Sequence, residues 1–592
     1  MAFPRVVRYN GLMMGGFALK GMMVYLQRYR KECVLAPLFK ALEASFELMV
    51  PLVMTVIIDR GIGGGDSGLI VRMVLVMVAL GLVGLASSVT AQFFSAKAAT
   101  GFATGVRHAL FEHLERLSFS NMDALGTSTM ITRMTSDVNL VQTGVNMTLR
   151  LFLRSPFVVF GAMVMAFTID VRSALIFVGV IIALSAVVFG VMAANIPMMK
   201  GVQQALEKVL GATRENLTGA RVIRAFCKED SQFAEFVEKN RELTRRQKRA
   251  GHVSGLTNPL TYLLINLAIA YLIYTGAIQV STGVLTAGAV VALYNYMSQI
   301  LVELIKLANL IVTMNKAAAG WNRIADVLAI QPDMESPEKS EPAIVRDEAV
   351  RFDHVSLKYG GAGGESLTDV SFTALKGQTI GVIGGTGSGK SSLVHLIPRF
   401  YDATDGAVYV DGVDVRKYNE ADLRGRVGFV LQKAVLFKGT IRDNLRWGKP
   451  DATDGELMAA VEAAQAADVV AAKGGLDAML EQNGRNLSGG QRQRLTIARA
   501  LVRKPEILVL DDSASALDQA TDARLRRAIR NLDYHPTVFI VSQRSASIRN
   551  ADRILVLDDG RLVGQGAHDE LMDSCPVYRE IYESQYGGEA SA

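Results

Sequence analysis

The chain has 592 residues, half of them hydrophobic, and a formal charge of +6 at neutral pH. This length exceeds that of one domain, so we expect several soluble units or a membrane unit joined to a soluble domain. Three stretches of 24, 27 and 53 residues, at 73–96, 173–199 and 250–302, contain no Asp, Glu, Lys or Arg. Because an apolar helix of about 20 residues crosses a bilayer, these stretches favour a membrane protein over a buried soluble core.

The net positive charge does not indicate a nucleic-acid partner, because of where the basic residues lie. Twelve Lys and Arg fall between positions 195 and 259, in segments that we assign to the cytoplasm. The connections assigned to the outside hold only Arg60 and Arg172. Basic residues are enriched on the cytoplasmic side of multi-pass proteins. We therefore predict a multi-pass protein of the cell (inner or plasma) membrane, surrounded by lipid, with cytoplasmic N- and C-termini.

Residues 1–33 are predicted to form an N-terminal leader and an interfacial elbow helix (about 22–36) on the cytoplasmic surface. They lack the order of a cleavable signal peptide, and Met22 or Met23 could equally be the first residue. The three cysteines lie far apart, at 33, 227 and 575, and follow no metal-binding spacing. We therefore expect inert thiols rather than a disulfide framework.

Residues 34–330 are predicted to form a six-helix transmembrane domain with cytoplasmic extensions. The expected spans are 34–58, 70–95, 150–169, 173–195, 258–279 and 285–312. Gly276 and the run Ser281-Thr-Gly283 are expected to supply the turn between the last two spans.

The remaining chain reads as a linker followed by a soluble domain. Residues 331–345 include Pro332, Pro337 and Pro342 among alternating charges, a composition typical of linkers. Residues 346–592 alternate predicted strands and helices, which indicates an α/β domain.

Charged residues inside the predicted spans allow two interpretations. Lys40, Glu43 and Glu47 share one face of the first span, where charge is costly unless it meets water or protein. They either face a central cavity, where they attract cationic amphiphiles or couple to protons, or they form internal pairs near the inner leaflet. Glu303 and Lys306 have i, i+3 spacing and are expected to form a structural pair.

A phosphate-binding motif follows the short apolar strand predicted at 379–383. The run Gly384-Gly-Thr-Gly-Ser-Gly-Lys390-Ser391 then opens a helix, which is the context of a P-loop. Glycines let backbone N–H groups turn towards phosphate, Lys390 suits the β- and γ-phosphates, and the Ser391 hydroxyl suits Mg²⁺. Asp511, at the end of the strand 507–511, adds a carboxylate for the same hard cation.

Two further runs carry a resemblance to a known family. Leu487-Ser-Gly-Gly-Gln491 and Ile507-Leu-Val-Leu-Asp-Asp512, taken with the P-loop, resemble the nucleotide-binding domain of ATP-binding-cassette (ABC) transporters. Segments 122–137 and 215–226 resemble the two intracellular loops of ABC exporters, whose coupling helices press on the nucleotide-binding domains. The resemblance implies an α-helical six-span membrane domain of the ABC exporter type, followed by an α/β P-loop ATPase domain.

The resemblance also implies which residues bind ATP and Mg²⁺. The adenine would stack on Tyr359, and Mg²⁺ would be held by Ser391, Gln432 and Asp511. In the family the signature and the D-loop aspartate complete the site of a partner subunit. The implied nucleotide-binding residues are Tyr359, Gly384, Gly385, Thr386, Gly387, Ser388, Gly389, Lys390, Ser391, Ser392, Ser488, Gly489, Gly490, Gln491 and Asp518.

Two of the three implied catalytic residues, Asp512, Gln543 and Gln432, depart from the family pattern. A Glu usually stands where this chain has Asp512, and a His where it has Gln543. The Asp side chain is shorter by one methylene, a deficit of about 1 Å, and such a misplacement can cost about a hundredfold in rate. The Gln543 amide cannot take up positive charge, although it can donate a hydrogen bond.

This asymmetry predicts an export half-transporter that pairs with a second, competent half. Its own ATP site would hydrolyse weakly, and its signature would complete the partner's site. The alternatives are a homodimeric exporter using Asp512 as a weak base and an ATP-sensing regulatory half-transporter with little hydrolysis. The expected cargo is a small hydrophobic or amphipathic molecule: a drug, a lipid or a peptide. Import, the rarer direction, is also compatible with these motifs.

Overall fold

The computed structural model describes residues 17–342, 344, 346–360 and 363–586. Residues 1–16 of the leader and elbow segment predicted at 1–33, and the C-terminal residues 587–592, lie outside the described residues. The chain divides into two units, the first formed by Met1–Glu115 and Ser128–Ile330, the second by Arg116–Thr127 and Gln331–Ala592.

Helices form the described part of the first unit, and one short helix within the same stretch of chain, α4, belongs to the second. A 3₁₀ turn at Gln27–Tyr29 joins α1 to α2, and π-helical turns follow α2 at Ile57–Ile62 and precede α6 at Arg133–Asp137. The helices are α1 (Phe17–Leu26), α2 (Arg30–Val56), α3 (Ser67–Leu114), α4 (Phe119–Leu125), α5 (Thr127–Thr132), α6 (Val138–Leu151), α7 (Arg154–Ile169), α8 (Val171–Thr218), α9 (Ala220–Ala225), α10 (Glu229–Gly255), α11 (Thr257–Ser281) and α12 (Ala287–Leu328).

Six helical segments among the described residues are long and apolar enough to cross a membrane, which confirms the predicted six spans. They are Gly21–Ile62, Ser67–Leu114, Thr127–Ile169, Val171–Thr218, Glu229–Ser281 and Ala287–Leu328. The helices α3 and α8 have 48 residues each. At 1.5 Å per residue each is about 72 Å long, more than twice the hydrocarbon thickness of a bilayer.

The turn between the last two spans lies at the end of the predicted run Ser281-Thr-Gly283 and does not include Gly276. Gly276 lies inside α11, and the chain turns afterwards at Gly283, whose φ is +72°. A Cβ on Gly276 would lie 2.9 Å from a methyl group of Val290 in α12. The glycine therefore allows two apolar helices to approach closely, a common use of small residues in membrane proteins.

A buried charge network joins three helices of the first unit. The Arg154 guanidinium on α7 donates to Glu303 of α12 at 2.5 Å and to Glu47 of α2 at 2.7 Å. Glu303 also accepts from Ser155 at 2.8 Å and from Lys306 at 2.8 Å, so the expected Glu303–Lys306 pair is present. Each buried charge thus has an opposite partner, as burial requires.

The acidic residues of the first span are paired in this arrangement. Lys40 is buried and donates to Glu43 at 2.5 Å and to Ser88 of α3 at 3.0 Å. The Glu47 side chain bonds Arg154 yet remains 42% exposed. Glu43 therefore follows the internal-pair interpretation, whereas Glu47 combines an ion pair with an accessible carboxylate.

The second unit combines α4 with an α/β domain. Its strands are β1 (Glu348–Leu357), β2 (Leu367–Leu375), β3 (Thr379–Gly384), β4 (Asp405–Val410), β5 (Val413–Asp414), β6 (Val427–Val430), β7 (Gly439–Thr440), β8 (Met479–Leu480), β9 (Ile507–Asp511), β10 (Thr537–Val541), β11 (Arg553–Asp558) and β12 (Arg561–Gly566). Its other helices are α13 (Lys390–His395), α14 (Glu420–Arg426), α15 (Ile441–Arg446), α16 (Asp454–Ala463), α17 (Ala467–Lys473), α18 (Gly489–Leu501), α19 (Gln519–Arg530), α20 (Ser545–Ile548), α21 (His568–Ser574) and α22 (Pro576–Tyr586).

The six-stranded sheet of this unit has the order β12-β11-β3-β10-β9-β6. Strands β11, β3, β10, β9 and β6 run parallel, and β12 is antiparallel at the edge. All five residues of β9 and of β10 are buried, as expected for central strands of a covered parallel sheet. A separate four-stranded antiparallel sheet has the order β2-β1-β4-β5.

We expect Arg154→Met to lower the free energy of unfolding of the full-length protein by about 3 kcal/mol, because it leaves a buried carboxylate without its main partner. The double variant Arg154→Met/Glu303→Gln should recover more than half of that loss. As a control, Lys208→Met breaks a 3.8 Å pair with Glu242 whose side chains are 60% and 36% exposed. It should cost at most about 1 kcal/mol. Unfolding in detergent measures all three, and equal losses for Arg154→Met and Lys208→Met would contradict the assignment.

Candidate functional site

The P-loop joins β3 to α13 at the carboxyl edge of the parallel sheet. Gly387 and Gly389 have φ of +84° and +92°, which side chains other than glycine rarely adopt. A Cβ on Gly389 would lie 2.4 Å from the carbonyl oxygen of Ser366. The glycines therefore permit a turn that presses against the start of β2, and α13 begins directly after it.

Lys390 is the first residue of α13, and its ammonium lies against the loop. It donates to the carbonyl oxygens of Gly384 at 2.9 Å and of Gly385 at 2.5 Å. The residue is buried, and burial lowers the pKa of the ammonium, opposed by the nearby carboxylates of Asp512 and Asp511. A positive group is thus held at the centre of a loop built to accept phosphate.

The buried carboxylate of Asp511 lies beside the first turn of α13. The Ser391 hydroxyl donates to it at 2.9 Å. Asp511 is 2% exposed, and burial raises the pKa of its carboxyl. One hydroxyl and one carboxylate oxygen therefore face each other across the site.

Asp512 follows directly, in a backbone conformation that differs from that of the strand. Its φ is +44°, and its N–H donates to the carbonyl of Val541 at 3.0 Å. Gln432, which follows β6, donates its side-chain amide to the Asp512 carboxylate at 3.3 Å. Partial burial raises the pKa of this carboxyl as well. Two of the three residues predicted to be catalytic, Asp512 and Gln432, are thus in direct contact.

A cleft of about 240 Å³ brings most of the predicted site residues together. Gln543 lies at its edge, two residues after the end of β10, and is exposed. Ser366, Val541 and Ser542 were not predicted. The residues that line the cleft are Ser366, Thr386, Gly387, Gly389, Lys390, Ser391, Ser392, Gln432, Asp511, Asp512, Val541, Ser542 and Gln543.

Tyr359 lies beside the P-loop helix rather than in the lining of the cleft. Its hydroxyl donates to Ser392 at 3.1 Å, and its ring stands edge-on to that of Tyr401 at 4.9 Å. Burial raises the pKa of the phenol. The tyrosine is therefore fixed beside the first turn of α13, with a partner ring that holds its orientation.

The predicted signature forms the start of α18 and is not among the described residues that line this cleft. Ser488 and Gln491 cap each other reciprocally, the side chain of each accepting the backbone N–H of the other. A Cβ on Gly490 would lie 2.9 Å from the carbonyl of Ala516. Asp518 likewise caps α19 through the N–H of Thr521 at 2.9 Å. These predicted residues lie at the starts of two helices, exposed or half-exposed and separate from the P-loop cleft.

The short helix α4 contacts the rest of the second unit close to Tyr359. The sequence did not predict the individual residues of this contact. The Tyr401 hydroxyl donates to the Asp123 carboxylate at 2.6 Å, and the rings of Phe119 and Phe400 are 4.6 Å apart. Burial raises the pKa of the Tyr401 phenol, and the hydrogen bond to the Asp123 carboxylate raises that pKa further.

His395 is a second residue that sequence reasoning missed. It ends α13, and its Nε2 lies 3.7 Å from Oδ2 of Asp511. Its ring packs among aromatic rings that include those of Phe400, Tyr401 and Phe429. Burial lowers the pKa of the imidazole, which favours its neutral form. Its spacing of four residues from Ser391, which puts both side chains on one face of α13, was an available signal.

We expect Gly389→Ala to destabilise the nucleotide-free protein by about 1–3 kcal/mol, because alanine strains a positive φ and its Cβ clashes with backbone. Gly385→Ala is the matched control, since nothing lies within 4 Å of its added Cβ. It should stay within about 0.5 kcal/mol of the wild type. Thermal unfolding without nucleotide compares the two, and a Gly385→Ala loss as large as that of Gly389→Ala would contradict the clash.

Comparison with known families matches both halves of the chain. Residues 33–304 match the family described as ABC transporter transmembrane region, and residues 367–515 match the family described as ABC transporter. Similarity to individual proteins extends over nearly the whole chain.

The chain is 35% identical over 571 residues to the uncharacterized ABC transporter ATP-binding protein YfiB of Bacillus subtilis (strain 168), covering 96% of this chain and 98% of the relative. It is 31% identical over 482 residues to an ATP-dependent lipid A-core flippase of Desulfotalea psychrophila, covering 81% and 84%. The structure of a bacterial Atm1-family ABC exporter with ATP bound matches with a TM-score of 0.77 and 25% identity, over 94% of this chain and 98% of that one. The chain therefore belongs to the ABC transporter family, as a multi-pass membrane protein in which an exporter-type transmembrane region is fused to an ATP-hydrolysing domain.

Proposed function

We propose that this chain is one half of a heterodimeric ATP-driven exporter, that its own ATP site hydrolyses weakly, and that its signature completes the partner's site. The observation that carries the proposal is the short carboxylate of Asp512 at the position that contacts Gln432. Weak hydrolysis at one site of a dimer turns that site into a place where ATP is retained.

The cleft, with Tyr359 beside it, provides groups suited to each part of ATP. Backbone N–H groups of the P-loop and the Lys390 ammonium bind the phosphates, with the start of α13 adding its positive end. Tyr359 stacks on the adenine, because an aromatic face accepts a base. Ser392 holds the Tyr359 hydroxyl and thus its ring orientation.

The same cleft fits Mg²⁺ through its oxygen donors. The Ser391 hydroxyl and the Asp511 carboxylate lie 2.9 Å apart, and Gln432 adds an amide oxygen nearby. Hydroxyl, carboxylate and amide oxygens are ligands that suit this hard cation. Ser391, Asp511 and Gln432 would hold Mg²⁺ there, and the ion would supply positive charge to offset that of the β- and γ-phosphates. Ser391 and Asp511 orient each other by their hydrogen bond.

Asp512 limits hydrolysis through reach rather than through chemistry. A carboxylate can accept a proton from an attacking water, but this one sits one methylene back on a constrained backbone with φ of +44°. Its bond to Gln432 holds it within the cleft. A displacement of about 1 Å can reduce the rate about a hundredfold.

Gln543 weakens hydrolysis in a second way. It lines the same cleft as the P-loop, where its amide can donate a hydrogen bond to a phosphate oxygen. The amide remains neutral, so it does not offset the charge that develops during phosphoryl transfer. Binding is therefore supported more strongly than turnover.

The intact signature supports a role in a site formed with another subunit. Ser488 opens α18 outside the described lining of the P-loop cleft, and its reciprocal cap with Gln491 keeps the helix start rigid. An exposed helix N-terminus with small residues is a ready anion site. Across a dimer, Ser488, Gly489 and Gly490 would contact the partner's γ-phosphate, and Asp518 would lie on the loop between the two sites.

The first unit contains a cavity that fits an amphipathic cargo. It measures about 450 Å³ and combines apolar side chains with the accessible Glu47 carboxylate and the Lys306 ammonium. One relative named above carries a lipid in its name, and the matched exporter structure holds ATP. The lining consists of Glu47, Val50, Pro51, Met54, Met77, Asn295, Ser298, Gln299, Val302, Glu303 and Lys306.

We assign α4 to the coupling of ATP binding to export. In the chain it lies between α3 and α5, which belong to the membrane unit, yet it packs with the nucleotide-binding domain. The bond from Tyr401 to Asp123 gives that contact a directional, charge-assisted anchor. Since Tyr401 also meets Tyr359, movement at the adenine would reach α4 through two side chains.

One observation favours a second candidate, a homodimeric exporter in which Asp512 is an adequate base. Burial raises the pKa of the Asp512 carboxyl, which increases its ability to accept a proton. In that case two copies of this chain would supply both sites. A regulatory half-transporter that senses ATP with little hydrolysis has no comparable support.

We expect the full-length chain to hydrolyse ATP slowly by itself, and Asp512→Glu/Gln543→His to raise kcat about a hundredfold, since it restores reach and a titratable group. Asp512→Asn provides the background rate. Phosphate release in lipid nanodiscs measures all three. Vigorous turnover by the wild type that Asp512→Asn abolishes would contradict the heterodimer and support the homodimer.

We expect Tyr401→Phe to weaken coupling roughly tenfold with little change in ATP affinity, because it removes a hydrogen bond to a carboxylate and keeps the ring. Tyr409→Phe is the control, a strand tyrosine whose ring lies 4.1 Å from the Arg351 guanidinium. Spin labels in the connection at about 59–70 that is predicted to lie outside, and in the matching connection of the partner half, report ATP-driven motion. Unchanged motion in Tyr401→Phe would rule out this anchor.

A further inference from the structure

The loop that carries Gln543 connects β10 to α20 and is fixed on its strand side. The Ser542 N–H donates to the Val382 carbonyl of β3 at 3.1 Å, and the Ser542 hydroxyl accepts from the Arg544 N–H at 2.9 Å. Ser542 is 2% exposed. These bonds hold the residues on either side of Gln543 but leave its own carbonyl to other partners.

That carbonyl is bonded by a residue of the last described helix. The side-chain amide of Gln585 on α22 donates to the Gln543 carbonyl oxygen at 2.7 Å. Its amide oxygen accepts from the Ser545 N–H at 2.8 Å and from the Ser545 hydroxyl at 2.9 Å. One side chain therefore links the Gln543 carbonyl, to which it donates, with Ser545, from which it accepts.

The acceptor half of this contact replaces a missing helix cap. The residue before α20, Arg544, makes no side-chain capping bond. The first N–H groups of a helix need a partner from outside the helix. Gln585 supplies one to Ser545, which is fully buried, so the start of α20 depends on a helix 40 residues further along the chain.

Both neighbours of this loop are themselves anchored. The helix α22 packs on the domain core through Tyr578, which is 0% exposed, with Val577 and Ile581 beside it. On the opposite side the Arg544 guanidinium donates to the carbonyls of Ser515 at 3.2 Å and Leu517 at 3.3 Å. The Gln543 loop is thus held between α22 and the loop that leads to Asp518.

We infer that Gln585 is a positioning residue for Gln543. Its hydrogen bond to the Gln543 backbone carbonyl holds Gln543 against the bound nucleotide. The inference rests on the role proposed above for Gln543. Gln585 is not among the residues that line the cleft, and it acts only by fixing the carbonyl of Gln543 and the start of α20. The C-terminal helix would thereby set how long the site retains ATP.

The test is the release of radiolabelled ATP, in Mg²⁺ and excess unlabelled ATP, from the full-length chain in lipid nanodiscs. Gln585→Leu removes all three bonds and should release ATP about tenfold faster. Gln585→Glu keeps the acceptor bonds but cannot donate to the Gln543 carbonyl, so its rate should be intermediate. The control is Ser584→Ala, next to it on the exposed face of α22, which loses only a bond to the Ile581 carbonyl within the helix and should match the wild type.

A double-mutant cycle separates positioning from a structural role. Gln543→Ala keeps the backbone carbonyl but removes the side chain that is positioned. Adding Gln585→Leu to it should therefore change the release rate no further. Equal release from Gln585→Leu and wild type would overturn the inference, and so would additive effects in the double variant.

The same cycle distinguishes the inference from the proposed function. If Gln543→Ala alone releases ATP at the wild-type rate, the role of Gln543 fails and the inference fails with it. If Gln543→Ala is faster but Gln585→Leu is not, only the inference fails. Thermal unfolding of each variant checks that a faster release does not come from loss of the fold.

Discussion

The nucleotide site depends on one constraint, the side-by-side packing of parallel strands β3, β10 and β9. Their registers place Val382 next to Val541, and Val541 next to Asp511. The loops that leave these three strands therefore start within two residues of one another. The strands hold three parts of the site at neighbouring positions: the P-loop, the Gln543 loop and the two aspartates.

Against this shared frame, the chain treats binding and hydrolysis differently. Two groups proposed to bind ATP and its Mg²⁺ are held by hydrogen bonds: Lys390 donates to loop carbonyls, and Ser391 donates to Asp511. The two residues that would act on water depart from the family pattern. Asp512 is one methylene shorter than the usual Glu, and Gln543 cannot take up the positive charge that the usual His can. The signature at the start of α18 remains complete. The three facts are consistent with a division of labour between two subunits.

Local motifs allowed much of this to be predicted, since each combines a turn with a neighbouring strand or helix. Spans, P-loop and the strand before Asp511 follow from periodicity and glycine placement over a few residues. Tyr401 and Asp123 are 278 positions apart, and Gln543 and Gln585 are 42 apart. Such pairs leave no local pattern, because only tertiary packing brings them together. Gly276 misled for a related reason: the same residue type marks turns and close helix contacts.

The length of α3 has a mechanical consequence. A helix of 48 residues is about 72 Å long. A tilt of about 5° displaces one end relative to the other by about 6 Å at this length. A small tilt of α3 as a unit therefore moves one end relative to the other by several ångströms, without any change in the internal hydrogen bonds of the helix.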